Sequence, residues 1–196
     1  EITAWARHRV DAGGSPVKVR IVKGANMEME LLESALNGWP LAPYDNKRDV
    51  DANWKRMVCY GLDPAHIRAV RLGVASHNLF DVAFACELSR RNGVTAFVTF
   101  EMIEGMANHV RRAVRENGLD LLAYAPVAED RHFINAVAYL IRRLDEDTGP
   151  RNFLAHLNRL KSGSPAWRML ADHFRASVRR IPSVGAHPHR TQNRLK

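Results

Sequence analysis

Four short segments rich in β-branched residues, each followed by a helical pattern, constrain the fold of this chain more than any other feature. The four segments span residues 16–23, 69–75, 94–102 and 119–127. The helical patterns that follow them span residues 27–36 and 47–60, 78–91, 105–116, and 130–147. Such units indicate parallel strands, because a parallel pair needs a crossover long enough to return to the same edge of the sheet. The sequence therefore predicts an α/β fold.

Two architectures are consistent with four strand-then-helix units. One is an open, doubly wound sheet, and the other is half of a (β/α)8 barrel, whose complete form typically has about 250 residues. The lengths of the units do not distinguish them. Both architectures bind ligands at the carboxyl ends of their strands, so both direct the search for functional residues to the same edge.

Further helical patterns flank these units at residues 2–10, 152–160 and 165–180. Ser164 and Pro165 are a favourable N-cap and first helical residue for the last of them. From Ile181 onward the Pro, Gly, His and Arg content is typical of a linker. We expect one unit over residues 1–150, additional helices over 151–180 and a linker over 181–196. Because Glu1 is not an initiator methionine, we expect the sequence to begin inside a longer reading frame.

The net charge of +8 is concentrated at the end of the chain. Residues 1–150 contain 19 basic and 20 acidic side chains, whereas residues 151–196 contain ten basic and one acidic. The tail follows no known nucleic-acid-binding pattern, and a linker explains it more simply. A module that binds nucleic acid or an acidic partner through this tail remains the alternative function.

Other classes of protein and site find little support in the sequence. No apolar stretch reaches the roughly 20 residues that span a bilayer, and no signal pattern opens the chain, so we expect a cytoplasmic protein. The two cysteines, Cys59 and Cys86, are too few for a disulfide framework. The sequence has no Gly-x-Ser-x-Gly, His-Glu-x-x-His or Cys-x-x-Cys motif, which makes a serine hydrolase or a metal enzyme a poor interpretation.

Basic and small residues follow the predicted strands. This rim comprises Arg20, Lys23, Gly24, Ala25 and Asn26; Ser76, His77 and Asn78; Phe100, Glu101, Ile103, Glu104 and Gly105; and Tyr124, Ala125 and Pro126. Such a rim suits a ligand with a phosphate or carboxylate group. The single Gly24 after a strand is a weak signal, because the dinucleotide fingerprint needs further glycines. His77 is interpreted either as a helix-cap or packing residue or as a ligand contact.

The helix predicted over residues 130–147 carries Tyr139, Arg142, Arg143 and Glu146 three or four positions apart. Two arginines near the end of a helix can simply complement its dipole on a solvated face. Alternatively, their guanidinium groups can bind a carboxylate in a bidentate manner, with Glu146 holding one of them in place. The spacing alone leaves both interpretations open.

Five segments resemble the proline dehydrogenase family in order and spacing: VRIVKGA at 19–25, VASHN at 74–78, FEMIEG at 100–105, YAP at 124–126 and YLIRRLDE at 139–146. The resemblance extends over roughly residues 1 to 180. It is strongest to the module found in bacterial bifunctional enzymes that also carry a glutamate-semialdehyde dehydrogenase. The resemblance implies a (β/α)8 barrel with FAD at the carboxyl ends of its strands, of which this chain supplies strands five to eight.

The resemblance also implies roles for individual residues. Arg20 would face the flavin N5, the loop of Lys23, Gly24 and Ala25 would contact the flavin, and Ser76 and His77 would hold the cofactor further along. Arg142 and Arg143 would bind the carboxylate of proline, with Glu146 orienting them. Tyr124, Tyr139 and Ile103 would form the wall of the substrate site. Asn26 and Met27 depart from the family pattern, which often has aromatic residues there.

The implied reaction is hydride transfer from L-proline to FAD, giving pyrroline-5-carboxylate, with a membrane quinone as the electron acceptor. The implied partners are the upstream half of the barrel and a downstream aldehyde dehydrogenase domain, which alone would use NAD. A lysine that binds substrate and a catalytic aspartate of the family lie on strands before Glu1. We therefore expect the isolated chain to be inactive. Because the implied electron acceptor is a membrane quinone, we expect the enzyme to be cytoplasmic or peripheral at the inner membrane face.

Overall fold

The computed structural model describes residues 1–23, 27–146, 153–187 and 189. Its helices are α1 (Ile2–Asp11), α2 (Met27–Asn37), α3 (Lys47–Gly61), α4 (Pro64–Ile67), α5 (Leu79–Arg91), α6 (Asn108–Glu116), α7 (Phe133–Glu146) and α8 (Pro165–Arg180). Its strands are β1 (Val17–Ile21), β2 (Val70–Ala75), β3 (Val98–Ile103) and β4 (Leu121–Tyr124). Short 3-10 turns span Thr95–Phe97, Asp130–His132, Leu154–Arg159 and Ile181–Ser183.

The four strands form one parallel sheet in the order β1-β2-β3-β4. The predicted α/β class is confirmed. Each strand lies beside the next strand in the sequence, and the order does not reverse as it does in a doubly wound sheet. The architecture is therefore that of part of a (β/α)8 barrel.

Alternation along the strands gives the sheet two different faces. One face packs against the helices and is apolar, with Leu72, Val74, Phe100 and Met102 almost completely buried. The opposite face, which we call the inner face, carries Lys18, Arg20, Gly73, Ala75, Thr99, Glu101, Ile103 and Tyr124. The charged side chains of the strands therefore lie on the side away from the helices.

Asparagine and serine side chains cap the first turns of three helices. The side chain of Asn46 accepts a hydrogen bond from the Asp49 amide at 2.9 Å, and that of Asn78 accepts one from the Phe80 amide at 3.0 Å. The predicted cap of the last helix is confirmed, because Ser164 accepts a hydrogen bond from the amide of Trp167. These caps satisfy amide groups that have no partner inside the helix.

Three predicted boundaries shift for identifiable reasons. The third strand begins only at Val98, because the preceding residues form a 3-10 turn. Helix α6 begins at Asn108 rather than at Gly105, since Gly105 and Ala107 have φ angles of 81° and 48° and cannot continue a right-handed helix. The last strand ends at Tyr124, two residues before Pro126, which has no amide hydrogen to donate to a neighbouring strand.

Helix α8 packs against α3 and α5 on the outside of the sheet. An ion pair of 2.7 Å joins Arg180 to Asp49, and Phe174 stacks on Phe80. The segment expected to be a linker starts with a 3-10 turn, after which Val184 is buried and the Gly185 carbonyl accepts a hydrogen bond from the hydroxyl of Tyr44. Among the described residues, no helix has both the length and the apolar character of a membrane-spanning segment.

Candidate active site

Three of the predicted site residues meet at the carboxyl edge of the inner face. Ile103 and Tyr124 are register partners at the ends of β3 and β4. The guanidinium carbon of Arg20, on β1, lies 4.0 Å from the centre of the Tyr124 ring, a distance that allows a cation–π contact. Burial raises the pKa of the Tyr124 phenol, so this hydroxyl is neutral at ordinary pH. The sheet thus brings together residues that lie more than a hundred positions apart in the sequence.

The inner face also contains the carboxylate of Glu101, a rim residue to which the resemblance assigns no role. Its Oε1 lies 2.7 Å from Nζ of Lys18, and its Oε2 lies 2.9 Å from Nε of Arg20. We call these three residues the inner-face cluster. Glu101 is 5% exposed, whereas both basic side chains are 40% exposed. The signal that could have identified Glu101 is an acidic residue inside an otherwise apolar strand.

Gly73 provides the space that Glu101 occupies. It is the register partner of both Arg20 and Thr99, in the strand between them. A Cβ atom at this position would overlap Oε1 of Glu101 and would lie 2.9 Å from its Cδ. The Glu101 side chain therefore passes over β2 at a glycine, which is the only residue type that leaves room for the carboxylate there.

Helix α7 contributes four of the six predicted substrate-binding residues, Tyr139, Arg142, Arg143 and Glu146. The guanidinium carbon of Arg143 lies 5.4 Å from the centre of the Tyr139 ring, as expected for positions four apart on one helical face. Tyr139 also lies close enough to Tyr124 to contribute to the raised pKa of the Tyr124 phenol, which brings α7 near the end of β4. Arg142 and Glu146 belong to α7, but their side chains lie outside the described part of the structure.

Ser76 and His77 organise the loop between β2 and α5. The Ser76 hydroxyl accepts a hydrogen bond from the amide of Asn78 at 3.1 Å. Nε2 of His77 accepts one from the amide of Ile103 at 3.1 Å, which requires that this nitrogen carry no proton. Burial lowers the pKa of His77. His77 therefore does not cap the helix, which is the role of Asn78, but connects its loop to the end of β3.

Lys23 lies in a second charged cluster, between the sheet and the helices. Its Nζ contacts Asp81 and lies 2.7 Å from Oδ1 of Asp51, and Nζ of Lys55 lies 2.8 Å from Oδ1 of Asp81. We call these four residues the helix-side cluster. Burial alone would lower the pKa of Lys23, but the carboxylates of Asp81 and Asp51 outweigh it and raise that pKa. Gly24 and Ala25, which follow Lys23, lie outside the described residues.

Two features of the inner face suit a flat, electron-accepting ring such as a flavin. Ala75 gives the carboxyl end of β2 a short side chain, where a flat ring system can approach the backbone, whereas the space over Gly73 is occupied by the Glu101 carboxylate. Arg20 supplies a positive charge beside that surface.

Among the described residues, no group of three or more His, Cys, Asp or Glu side chains could hold a metal ion, and Cys59 and Cys86 are free thiols. A separate cleft of about 550 Å³ lies where α3, α5 and α8 meet.

Comparison with solved structures shows what the whole chain resembles. Proline utilization A from Corynebacterium freiburgense is 40% identical, with a TM-score of 0.81, and the match covers 97% of this chain and 18% of that one. Proline utilization A from Bdellovibrio bacteriovorus, inactivated by N-propargylglycine, is 29% identical with a TM-score of 0.73, and the match covers 100% and 19% of the two chains. The present chain thus spans less than a fifth of the length of either structure.

A mutant of proline utilization A from Bradyrhizobium japonicum has the same fold, with a TM-score of 0.71 and 24% identity over 94% of this chain and 18% of that one. A search of curated proteins returned no significant match. The sequence model of the family described as proline dehydrogenase matches residues 1–156, which include both strand edges of the sheet and every predicted site residue. The chain therefore belongs to the proline dehydrogenase family.

Proposed function

We propose that this chain forms the second half of the barrel of an FAD-dependent enzyme that oxidises L-proline to pyrroline-5-carboxylate. The observation that carries the proposal is that Arg20, Tyr124 and Tyr139 meet at the carboxyl edge of a sheet that matches the proline dehydrogenase family. In barrel enzymes this edge is where the chemistry takes place. The electron acceptor would be a quinone, and NAD would serve only a separate aldehyde dehydrogenase domain.

The division of the chain supports the view that it works within a larger protein. Residues 1–150 would be strands five to eight of the barrel, 151–180 additional helices, and 181–196 a connection to the aldehyde dehydrogenase domain. Each outer strand, β1 and β4, is paired on one side within the described residues. Large apolar side chains are exposed on α2 and α7, the helices that come after the two outer strands in the sequence, namely Met29, Leu31, Leu32, Leu36, Phe133, Ile134 and Ile141. An upstream half barrel would cover such surfaces.

The substrate would be held by its carboxylate. Arg142 and Arg143 would bind the two carboxylate oxygens, and Glu146 would orient the guanidinium groups. Tyr124, Tyr139 and Ile103 would enclose the apolar part of the proline ring. The contact between Arg143 and the Tyr139 ring supports this arrangement, because it joins a carboxylate-binding residue to a residue of the wall.

Bound FAD would supply the two-electron acceptor for the hydride of the proline carbon next to nitrogen. Arg20 would lie at the N5 edge of the ring, where its positive charge favours electron transfer to the cofactor. The backbone of Lys23, Gly24 and Ala25 would line the ring, and Ser76 and His77 would hold the remainder of the cofactor. Since the Lys23 ammonium group is bound by Asp51 and Asp81, its contribution to the cofactor would come from its backbone.

The proposal is tested in the complete, FAD-loaded protein by replacing one arginine of the substrate site. Arg142→Lys removes a bidentate contact, which contributes about 1.5 kcal/mol or more, so KM for proline should rise about tenfold. Arg112→Lys, at an exposed position of α6, is the matched control and should leave KM unchanged. A complete protein that shows neither a flavin spectrum nor proline-dependent dye reduction would overturn the proposal.

A second experiment concerns the division of the barrel. The 196-residue chain, purified alone, should show no proline-dependent dye reduction and should bind FAD weakly, because the substrate-binding lysine and the catalytic aspartate would be missing. Dye reduction by this chain alone would contradict the half-barrel interpretation, while leaving the family assignment intact.

A further inference from the structure

We propose that Glu101 is a positioning residue of the active site: it fixes the guanidinium group of Arg20, and position 73 is glycine because the Glu101 carboxylate crosses the sheet there. The inference rests on the proposed function, since it gives Arg20 a task at the cofactor. It concerns Glu101, a residue to which the proposed function assigns no role in binding the substrate or the flavin.

The geometry restrains Arg20 from two directions. Glu101 Oε2 lies 2.9 Å from Nε, on the edge of the guanidinium group, in an ion pair. The ring of Tyr124 lies 4.0 Å from the guanidinium carbon. With Nε paired to the carboxylate, the terminal nitrogen atoms can donate to the Tyr124 hydroxyl and to a ligand. Because an arginine side chain has several rotatable bonds, two such restraints greatly reduce the orientations it can adopt.

The charge of the cluster supports a role in binding rather than in neutralisation. One carboxylate contacts two cations, so the inner-face cluster keeps a net charge of about +1. Glu101 is buried while Lys18 and Arg20 are each 40% exposed, so the positive charge faces the open side of the sheet. A carboxylate that only closed a salt bridge would need a single cation. Here it divides its oxygens and holds both basic groups close together.

The position of Gly73 provides independent support. Glu101 is the register partner of Ala75 on β2, yet its carboxylate reaches back over Gly73 to basic residues on β1. Any Cβ atom at position 73 would overlap this carboxylate and would also lie 3.2 Å from Cε of Lys18. Glycine in the interior of a strand is otherwise unfavourable, so its presence here indicates a close approach.

The proposal is tested with two variants of the complete, FAD-loaded protein. Glu101→Ala removes the restraint on Arg20 and should lower kcat/KM for proline about tenfold or more, mainly through kcat. Glu101→Gln keeps an oxygen for Arg20 but removes a negative charge, so it should retain most of kcat/KM while making the midpoint potential of the bound flavin more positive. The matched control is Asp120→Asn, which removes an exposed carboxylate that bonds Thr99 at the opposite edge of the sheet.

A double-mutant cycle tests the part played by Gly73. Gly73→Ala should lower kcat/KM by a factor similar to that of Glu101→Ala, because the new methyl group displaces the carboxylate. In the Glu101→Ala background the same substitution should have little further effect, since the short side chain leaves the space free. Effects that multiply in the double variant would show that Gly73 and Glu101 act independently and would overturn this part of the proposal.

The outcomes separate this inference from the proposed function. If the unmodified protein does not reduce its flavin with proline, the proposed function fails. A second outcome is that the unmodified protein reduces its flavin with proline, and that Glu101→Ala and Glu101→Gln have the same kcat/KM and midpoint potential as the unmodified protein. In that case the positioning role fails while the proposed function stands. A loss of thermal stability alone, with kcat/KM and potential unchanged, would make Glu101 a structural residue and would equally overturn the inference.

Discussion

The two charged clusters differ in burial. In the helix-side cluster, Lys23 and Lys55 face Asp51 and Asp81, and the Lys55–Asp81 pair is almost completely inaccessible to water. In the inner-face cluster, one buried carboxylate faces two half-exposed cations. The buried Lys55–Asp81 pair is closed to a ligand and, with Lys23 and Asp51, joins α3 and α5 to the end of β1, while Lys47 pairs with Asp51 from the exposed side. An unbalanced cluster open to solvent retains charge that a ligand can use.

The largest effect is expected from the helix-side cluster. Asp81→Ala leaves two buried ammonium groups without their shared carboxylate, which should reduce the stability of α3 and α5 by about 3–5 kcal/mol. Hydrogen exchange of α3 and α5 in the complete protein measures this local stability. Unchanged protection in these helices would mean that the buried pairs do not join them.

Arg20→Ala should have the opposite profile. Because Lys18 still pairs with the buried Glu101 carboxylate in this variant, the loss of sheet stability should be smaller than the loss that Asp81→Ala causes in α3 and α5. Its proposed position at the cofactor predicts a fall of about a hundredfold in kcat. Measuring kcat and the melting temperature of the same variant tests the contrast between the clusters. A variant that melts much earlier but keeps its kcat would place Arg20 with the structural residues.

The pH dependence of stability distinguishes the clusters further. Burial would raise the pKa of Asp81, but Lys23 and Lys55 outweigh it, so that pKa is lowered in the folded protein. The resulting stabilisation is present above the unfolded value of about 3.9 and is lost as pH falls through the lower folded value. The difference in α5 protection between the unmodified protein and Asp81→Asn should therefore shrink below about pH 4. A difference that stays constant down to pH 2 would contradict this assignment.

The smallest effect is expected at an exposed ion pair. Asp172 and Arg175 lie on the solvated side of α8, with side chains 71% and 64% exposed. Asp172→Ala should change the stability of α8 by no more than about 0.5 kcal/mol. Measured in the same hydrogen-exchange experiment, it serves as the reference for Asp81→Ala. A comparable loss from both variants would remove the distinction between buried and exposed pairs.

The elements that local sequence rules describe were predicted well. The α/β class, the order of the units and the Ser164 cap depend on periodicity, capping and chain breaks, which act over a few residues. The start of α6 was misplaced, because the left-handed conformation of Ala107 has no signal in its residue type. Choosing between a doubly wound sheet and part of a barrel required the strand order, which is a property of the whole chain.

The site was predicted less completely, because its charges are organised by contacts between distant segments. Lys23 follows β1 in the sequence, but its partners Asp51 and Asp81 come from two different helices, and no local pattern connects them. Glu101 was recognised at the end of a strand without a role, since its contacts lie on another strand. The roles of Arg142 and Glu146 remain predictions, because their side chains lie outside the described part of the structure.

The crossing of Gly73 by Glu101 also has a consequence for how this sequence can evolve. A side chain can be introduced at position 73 only if residue 101 has a shorter side chain or if its carboxylate turns away. Conversely, a glycine at position 73 is needed only while residue 101 has a long side chain. The two positions are therefore expected to vary together among relatives, although 28 residues separate them in the chain. Recombination between β2 and β3 of divergent relatives would combine mismatched residues at these positions, so hybrid proteins should tolerate a junction elsewhere more readily.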